Sequence, residues 1–172
     1  MKPLARALLC CALFAAAAVQ GQAGELRPFT SGSWKDVTSA SSGKPTIVHF
    51  WGLSCGICIA ELPEWGAFAA KHPDARLVLI NWDRRPQDVK RISETLAKNK
   101  LAGVENWVLA DDFEDKARFT VDRTWIGELP RTRLIAANGK TTGLSGTTNF
   151  HELGAWLRRQ DGGNDGTSPT SP

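Results

Sequence analysis

The chain has 172 residues, 42% of them apolar, with 21 Lys and Arg against 18 Asp and Glu. That length supports one domain with a real core and not comfortably two. The formal charge of +3 comes without a Lys/Arg cluster interleaved with aromatics, so a nucleic-acid surface is unsupported.

Lys2 and Arg6 open the chain, and Ala7 to Val19 is an uninterrupted apolar stretch of 13 residues. Gly21-Gln22-Ala23 then closes in a small-x-small pattern. This is the build of a secretory signal, residues 1–23, cleaved after Ala23. The stretch falls short of the roughly 20 residues of a membrane span, so no stable membrane insertion is expected after cleavage. An uncleaved membrane anchor is the alternative. A lipid anchor through Cys10 or Cys11 is disfavoured, because Leu9 or Cys10 stands before it inside the apolar run. Removing residues 1–23 lowers Lys and Arg from 21 to 19 against the same 18 acidic residues, a charge of about +1. Cysteine falls from four to two, Cys55 and Cys58. A periplasmic or otherwise exported protein sits where disulfides persist, yet a staple closing a two-residue loop adds little chain-entropy stabilisation. The pair is therefore read as chemistry.

Residues 24–160 are expected to form the domain. Leu26 to Thr30 reads as a short strand and Ser33 to Val37 as a short helix capped by Ser33. Thr46-Ile47-Val48-His49-Phe50-Trp51 has the composition of a buried strand. Beyond it Cys58, Leu62, Trp65, Ala69 and His72 recur at helical spacing, in a helix that Pro63 is expected to kink. Arg76 to Asn81 is a second buried strand. Asp83-Arg84-Arg85-Pro86 breaks the pattern, and Pro86 is placed to open a helix through Lys100. Trp107 to Ala110 is a short strand, and Asp111 or Asp112 caps a short helix over Glu114 to Phe119. Arg131 to Ala136 and Thr141 to Leu144 flank Asn138-Gly139, a strong hairpin signal. Phe150 to Arg159 closes the domain, and residues 161–172 are a polar tail expected to be disordered. Alternating strands and helices require an α/β fold with parallel strands and right-handed crossovers.

Two residues between Cys55 and Cys58 put both sulfurs near one face of a first helical turn, where free N–H groups and the helix dipole favour a thiolate. Cys55, nearer solvent, is the candidate nucleophile; Cys58, one turn in, is the candidate resolving thiol. A zinc site would have to recruit two of His49, His72 and His151 without helpful spacing, and haem attachment fails because residue 59 is Ile. Neither a metal nor another cofactor is expected.

The string Phe50-Trp51-Gly52-Leu53-Ser54-Cys55-Gly56-Ile57-Cys58-Ile59-Ala60-Glu61-Leu62-Pro63 resembles the TlpA/ResA-like branch of exported thiol–disulfide oxidoreductases, which typically reads F-W-x-x-W-C-x-x-C-x-x-E-x-P. Gly127-Glu128-Leu129-Pro130-Arg131-Thr132-Arg133-Leu134-Ile135 resembles that family's downstream proline segment. The resemblance implies a thioredoxin-like fold: a central mixed β-sheet flanked by helices, with an inserted helix and strand between Asp83 and Ala110. It implies a cis bond before Pro130, which would face the dithiol and dock a substrate strand; an ordinary strand-initiating proline is the alternative. Glu61 matches the family's acidic residue, a candidate proton relay; a solvated helix glutamate is the alternative. His49 stands where the family usually has asparagine. It is either a proton acceptor for Cys58 or a satisfied core histidine. Ser54 and Ile57 replace a common Trp and Pro, Trp125 is expected to restore part of the lost aromatic surface, and Trp51, Trp65, Trp107 and Trp156 are expected in the core.

The resemblance implies exchange with protein thiol or disulfide partners, as a reductant more often than an oxidant. Clients would be of the cytochrome c assembly or copper-site type, and a membrane-linked donor would supply electrons. A disulfide-introducing oxidase and a Cu(I)- or client-binding dithiol are the alternatives.

Overall fold

The structure is a computed structural model that describes residues 25–84 and 86–161. The chain runs β1 (Leu26–Phe29), α1 (Ser33–Ser39), β2 (Thr46–Trp51), α2 (Gly56–Lys71), β3 (Arg76–Asn81), α3 (Val89–Lys98), β4 (Glu105–Leu109), α4 (Glu114–Val121), β5 (Arg131–Ile135), β6 (Thr141–Ser145) and α5 (Phe150–Asp161). The predicted signal and residues 162–172 lie outside the described residues. Asp161, assigned by sequence to the tail, is the last residue of α5. Among the described residues no helix is long and apolar enough to cross a membrane.

The apolar, β-branched and aromatic run of β2 is buried along all six residues, as expected of a strand covered on both faces. It lies inside a six-stranded sheet ordered β1-β4-β3-β2-β5-β6. The β1–β4, β4–β3 and β3–β2 pairs are parallel, while β2–β5 and β5–β6 are antiparallel. Alternation along β2 divides the core. Ile47 and Trp51 pack with Cys58, Leu62, Trp65 and Leu153, beneath α2 and α5. Val48 and Phe50 pack with Val37, Ala117 and Val121, beneath α1 and α4.

Several element ends shift by one or two residues from the sequence reading, among them α1, which runs to Ser39, and α3, which ends at Lys98. Four starts or caps differ because a side chain is used elsewhere. Helix α3 starts at Val89, not Pro86: Asp88 accepts the Arg91 N–H at 2.9 Å as the cap. Gln87 is already occupied, donating to the carbonyls of Asp83 and Leu109. The cap of α1 is Gly32, and the Ser33 hydroxyl instead accepts the Thr30 N–H at 2.9 Å. Neither Asp111 nor Asp112 caps α4, whose cap residue is Phe113; Asp111 accepts N–H groups from Phe113 and Ser31. Strand β4 begins at Glu105 because the Asn106 amide finds the carbonyls of Leu101 and Val104, so a polar residue can be buried there.

Helix α2 continues through Pro63 and packs closely on the turn after α3. A Cβ on Gly66 would collide with the Asn99 carbonyl oxygen. Gly to Ala inside a helix normally gains up to about 1 kcal/mol, whereas overpacking costs about 1–3 kcal/mol. The clash here is with backbone, which puts the cost at the upper end of that range, so Gly66→Ala is expected to lower stability by about 2 kcal/mol net. A urea midpoint unchanged or raised in that variant would show that the two segments separate freely.

Candidate active site

Strand β2 delivers the chain into the turn Gly52-Leu53-Ser54, and Cys55 is the N-cap of α2 with extended backbone, φ −96° and ψ 101°. Cys55 and Cys58 form a disulfide with Cα atoms 5.2 Å apart. The Cys55 sulfur also accepts the Cys58 N–H at 3.1 Å, one of the donors a helix N-terminus leaves free. Cys58 is fully buried and Cys55 half-buried, so only the first sulfur is presented outward. The first turn of α2 carries no acidic residue, and Ile57 beside the pair is 52% exposed.

The bond before Pro130 is cis. A methyl on Gly52 would stand 3.3 Å from Leu129 Cδ1 and 2.8 Å from Asp83 Oδ1. The segment before Pro130 therefore lies against the turn that precedes Cys55. Pro130 is buried, and its carbonyl accepts the Gly146 N–H at 3.0 Å.

His49 pairs across the sheet with Thr132, its Nδ1 3.0 Å from the Thr132 hydroxyl. Its ring centroid is 4.3 Å from that of Trp65, and Nε2 has no partner among the described residues. Complete burial lowers its pKa from 6.5 to about 3, so the imidazole is neutral at neutral pH. Glu61 is buried and accepts the Thr148 N–H at 2.6 Å and the Thr148 hydroxyl at 3.3 Å. These bonds tie α2 to the loop before α5.

Trp125 does not contribute to an outer surface. It is fully buried, with centroids 4.8 Å from Phe50 and 4.9 Å from Trp82, and its indole N–H donates to the Glu128 carbonyl. The neighbouring Ile126 is 85% exposed instead. Trp51 and Trp65 are in the core, while Trp107 and Trp156 are half-buried.

One residue at the site escaped the sequence reading. Asp83, placed there in a chain break, accepts the Leu53 N–H at 2.6 Å, the Ser54 N–H at 3.2 Å and the Ser54 hydroxyl at 2.6 Å. The available signal was its place just past β3, at the carboxyl edge of parallel strands where α/β proteins build their sites.

A thiol:disulfide interchange protein of Chlorobium tepidum TLS, described as a thioredoxin family protein, superposes with a TM-score of 0.57 over 72% of this chain and 83% of its own, at 15% identity. The fold is thioredoxin-like. No protein-family model matches the chain. In sequence it is similar to sporulation thiol-disulfide oxidoreductase A of Bacillus subtilis (strain 168), 32% identical over 69 residues. That match covers 39% of this chain and 42% of the relative. It is also similar to thiol-disulfide oxidoreductase YkuV of the same organism, 30% identical over 91 residues, 47% of this chain and 62% of the relative. The chain thus spans less than two thirds of either relative. Within the thioredoxin-like fold, the half-buried Cys55 lies at the end of β2 with Cys58 buried behind it, and the turn that precedes Cys55 lies against Leu129, the residue before the cis Pro130.

Proposed function

We propose that this protein is an exported thiol–disulfide oxidoreductase that exchanges its Cys55–Cys58 pair with protein partners, working as a reductant. The observation that carries this reading is the asymmetry of the pair: Cys55 is half-buried at the helix cap and Cys58 fully buried behind it.

In the dithiol form the Cys55 thiolate attacks one sulfur of a partner disulfide. A mixed disulfide forms and the partner's first sulfur leaves as thiolate. Cys58, deprotonated, then attacks the Cys55 sulfur; the Cys55–Cys58 disulfide closes and the second partner sulfur leaves. Two electrons have passed to the partner, and a membrane-linked donor would return them. His49 is the candidate acceptor for the Cys58 proton, Glu61 a candidate relay, and Pro130 the docking point for the partner's extended chain. Clients of the cytochrome c assembly or copper-site type suit a reductant of this kind.

A Cys58→Ala variant should arrest the reaction at the first step and accumulate covalent adducts with exported proteins, resolved by added thiol. No adduct with any such protein would sink the exchange reading. Equilibration in thiol redox buffers is expected to give a potential near −270 mV, the thioredoxin region; a value near about −120 mV would instead assign a disulfide-introducing oxidase.

A further inference from the structure

We propose that Asp83 is a positioning residue for thiol exchange: its carboxylate grips the turn ahead of Cys55 and, by disfavouring the Cys55 thiolate, sets the Cys55–Cys58 pair toward the reducing side. This rests on the thiol-exchange reading of the site.

The grip is dense. Two backbone N–H groups and one hydroxyl, from the consecutive residues Leu53 and Ser54, converge on the two carboxylate oxygens at 2.6, 3.2 and 2.6 Å. The Asn81 side-chain amide adds a fourth donor at 2.9 Å, and the Asp83 N–H in turn reaches the Asn81 side-chain oxygen at 3.3 Å. Strand pairing aims the carboxylate there, because Trp51 and Asn81 are paired and the Trp82 N–H continues the ladder by donating to the Trp51 carbonyl at 2.7 Å. Gly52 leaves no space between the carboxylate and Leu129, the residue before Pro130. Asp83 thus braces the turn before the nucleophile, and Gly52 of that turn lies close to Leu129 on its other side.

Two consequences act on Cys55 in one direction. Burial would push the Asp83 carboxyl up, but the bonds from Ser54, Asn81 and the Leu53 N–H outweigh it and hold the group below the usual carboxylate range. It is therefore charged at neutral pH, bonded to the residue adjoining Cys55, and a like charge nearby disfavours a thiolate. The clamp also occupies the Leu53 and Ser54 N–H groups, which would otherwise be free donors at the entrance to α2. A dithiol whose thiolate is less stabilised passes more readily to the disulfide, so the pair is the stronger reductant.

The test is the equilibrium Cys55–Cys58 disulfide plus two glutathione thiols giving the dithiol plus glutathione disulfide, read by alkylation of the purified protein at pH 7. Asp83→Asn keeps the shape and removes the charge. Its equilibrium constant should move toward the dithiol by on the order of tenfold, about 30 mV more oxidising. Ser54→Ala keeps the charge but removes one donor that compensates it, and should move the constant the other way by about two- to threefold. A purely structural clamp would lower thermal stability in both variants without separating the sign of these shifts. A folded Asp83→Asn protein with a constant within twofold of the parent overturns the proposal. If Asp83→Asn does not fold, a Ser54→Ala constant that is unchanged or moves toward the dithiol overturns it equally. Failure of the wider reading looks different: a parent potential in the oxidant region would remove the reductant assignment while leaving the difference between parent and variants intact.

Discussion

Taking the protein from pH 7 to pH 4 is expected to cost the folded state about 3 kcal/mol through one side chain, His49. The ring is fully buried and its pKa is lowered by that burial to about 3, whereas in the unfolded chain it titrates near 6.5. Above pH 6.5 both states are neutral and His49 adds no pH dependence. As the pH falls from 6.5 toward 3 the unfolded chain takes up a proton that the folded chain refuses, so stability is lost on the acid side. Each pH unit in that window favours unfolding by about 1.4 kcal/mol, to a limit near 5 kcal/mol. Carboxylates held below their ordinary range, Asp83 and Asp122 among them, also lose stability in acid, so the measurement has to be a difference. His49→Asn cannot titrate and still offers Thr132 a partner. Urea unfolding of both proteins at pH 7 and pH 4 should show the parent losing about 3 kcal/mol more than the variant; equal losses would mean that the ring is reached by water.

The same variant tests the chemistry proposed for His49. Positioned proton acceptors are typically worth at least a hundredfold in rate, so resolution of a mixed disulfide should slow by that order with a changed pH–rate profile. The buried ring starts from an unfavourable position, since charging it costs about 5 kcal/mol more than charging an exposed histidine. Proton acceptance from Cys58 therefore has to be brief and coupled to attack on Cys55. An unchanged profile leaves His49 as a core residue bonded to Thr132.

What the sequence made legible was local. The run Thr46–Trp51, the spacing of Cys58, Leu62 and Trp65, and the Asn138-Gly139 turn, whose glycine has φ +82°, each carry their signal within a few residues. Such local signals in chain order give the alternation of an α/β fold, whereas the thioredoxin-like architecture was implied by the resemblance of the Phe50–Pro63 and Gly127–Ile135 strings. Illegible were contacts whose partners lie far apart. Asp83 reaches Ser54 across 29 residues and Leu53 across 30, and nothing in Asp-Arg-Arg-Pro distinguishes a clamp from a loop. Trp125 failed for a related reason: its composition is compatible with either a surface or a core, and only the packing of Phe50 and Trp82 under α4 decides. The same limit separates two carboxylates near the site. Glu61 could be matched by motif, yet its actual partner, Thr148, stands 87 residues away.

Among the charged side chains away from the cysteines, a large effect of a single deletion is expected at Asp122. Its Oδ2 accepts from Arg131 at 2.6 Å and from Arg133 at 2.7 Å, and the three side chains are only 11–13% exposed. Oδ1 accepts the Thr124 N–H and hydroxyl. Burial alone would raise the Asp122 carboxyl; the Thr124 bonds and the two guanidinium groups outweigh it and bring the pKa to about 2. The charge pattern is Arg131 and Arg133 against Asp122, with Glu128 touching Arg131 at 3.3 Å and accepting the Ser145 hydroxyl at 2.5 Å. This cluster fixes residues 122–128, the segment leading to Pro130, onto β5 and β6. Asp122→Ala strands two mostly buried cations that repel each other, and breaking a buried pair from one side costs about 3–5 kcal/mol. Arg133 is the more exposed to that penalty, because burial already lowers its pKa even with Asp122 present. Adding Arg133→Met to Asp122→Ala removes one stranded charge and should therefore recover about half the loss, whereas independent sites would make the double variant worse. Denaturant unfolding of the three proteins decides between these outcomes, and a loss below about 1 kcal/mol in Asp122→Ala would place the cluster among solvated surface pairs. Because Pro130 follows this segment, Asp122→Ala should also slow mixed-disulfide formation at Cys55 in protein that is still folded, an effect that a remote surface pair would not produce.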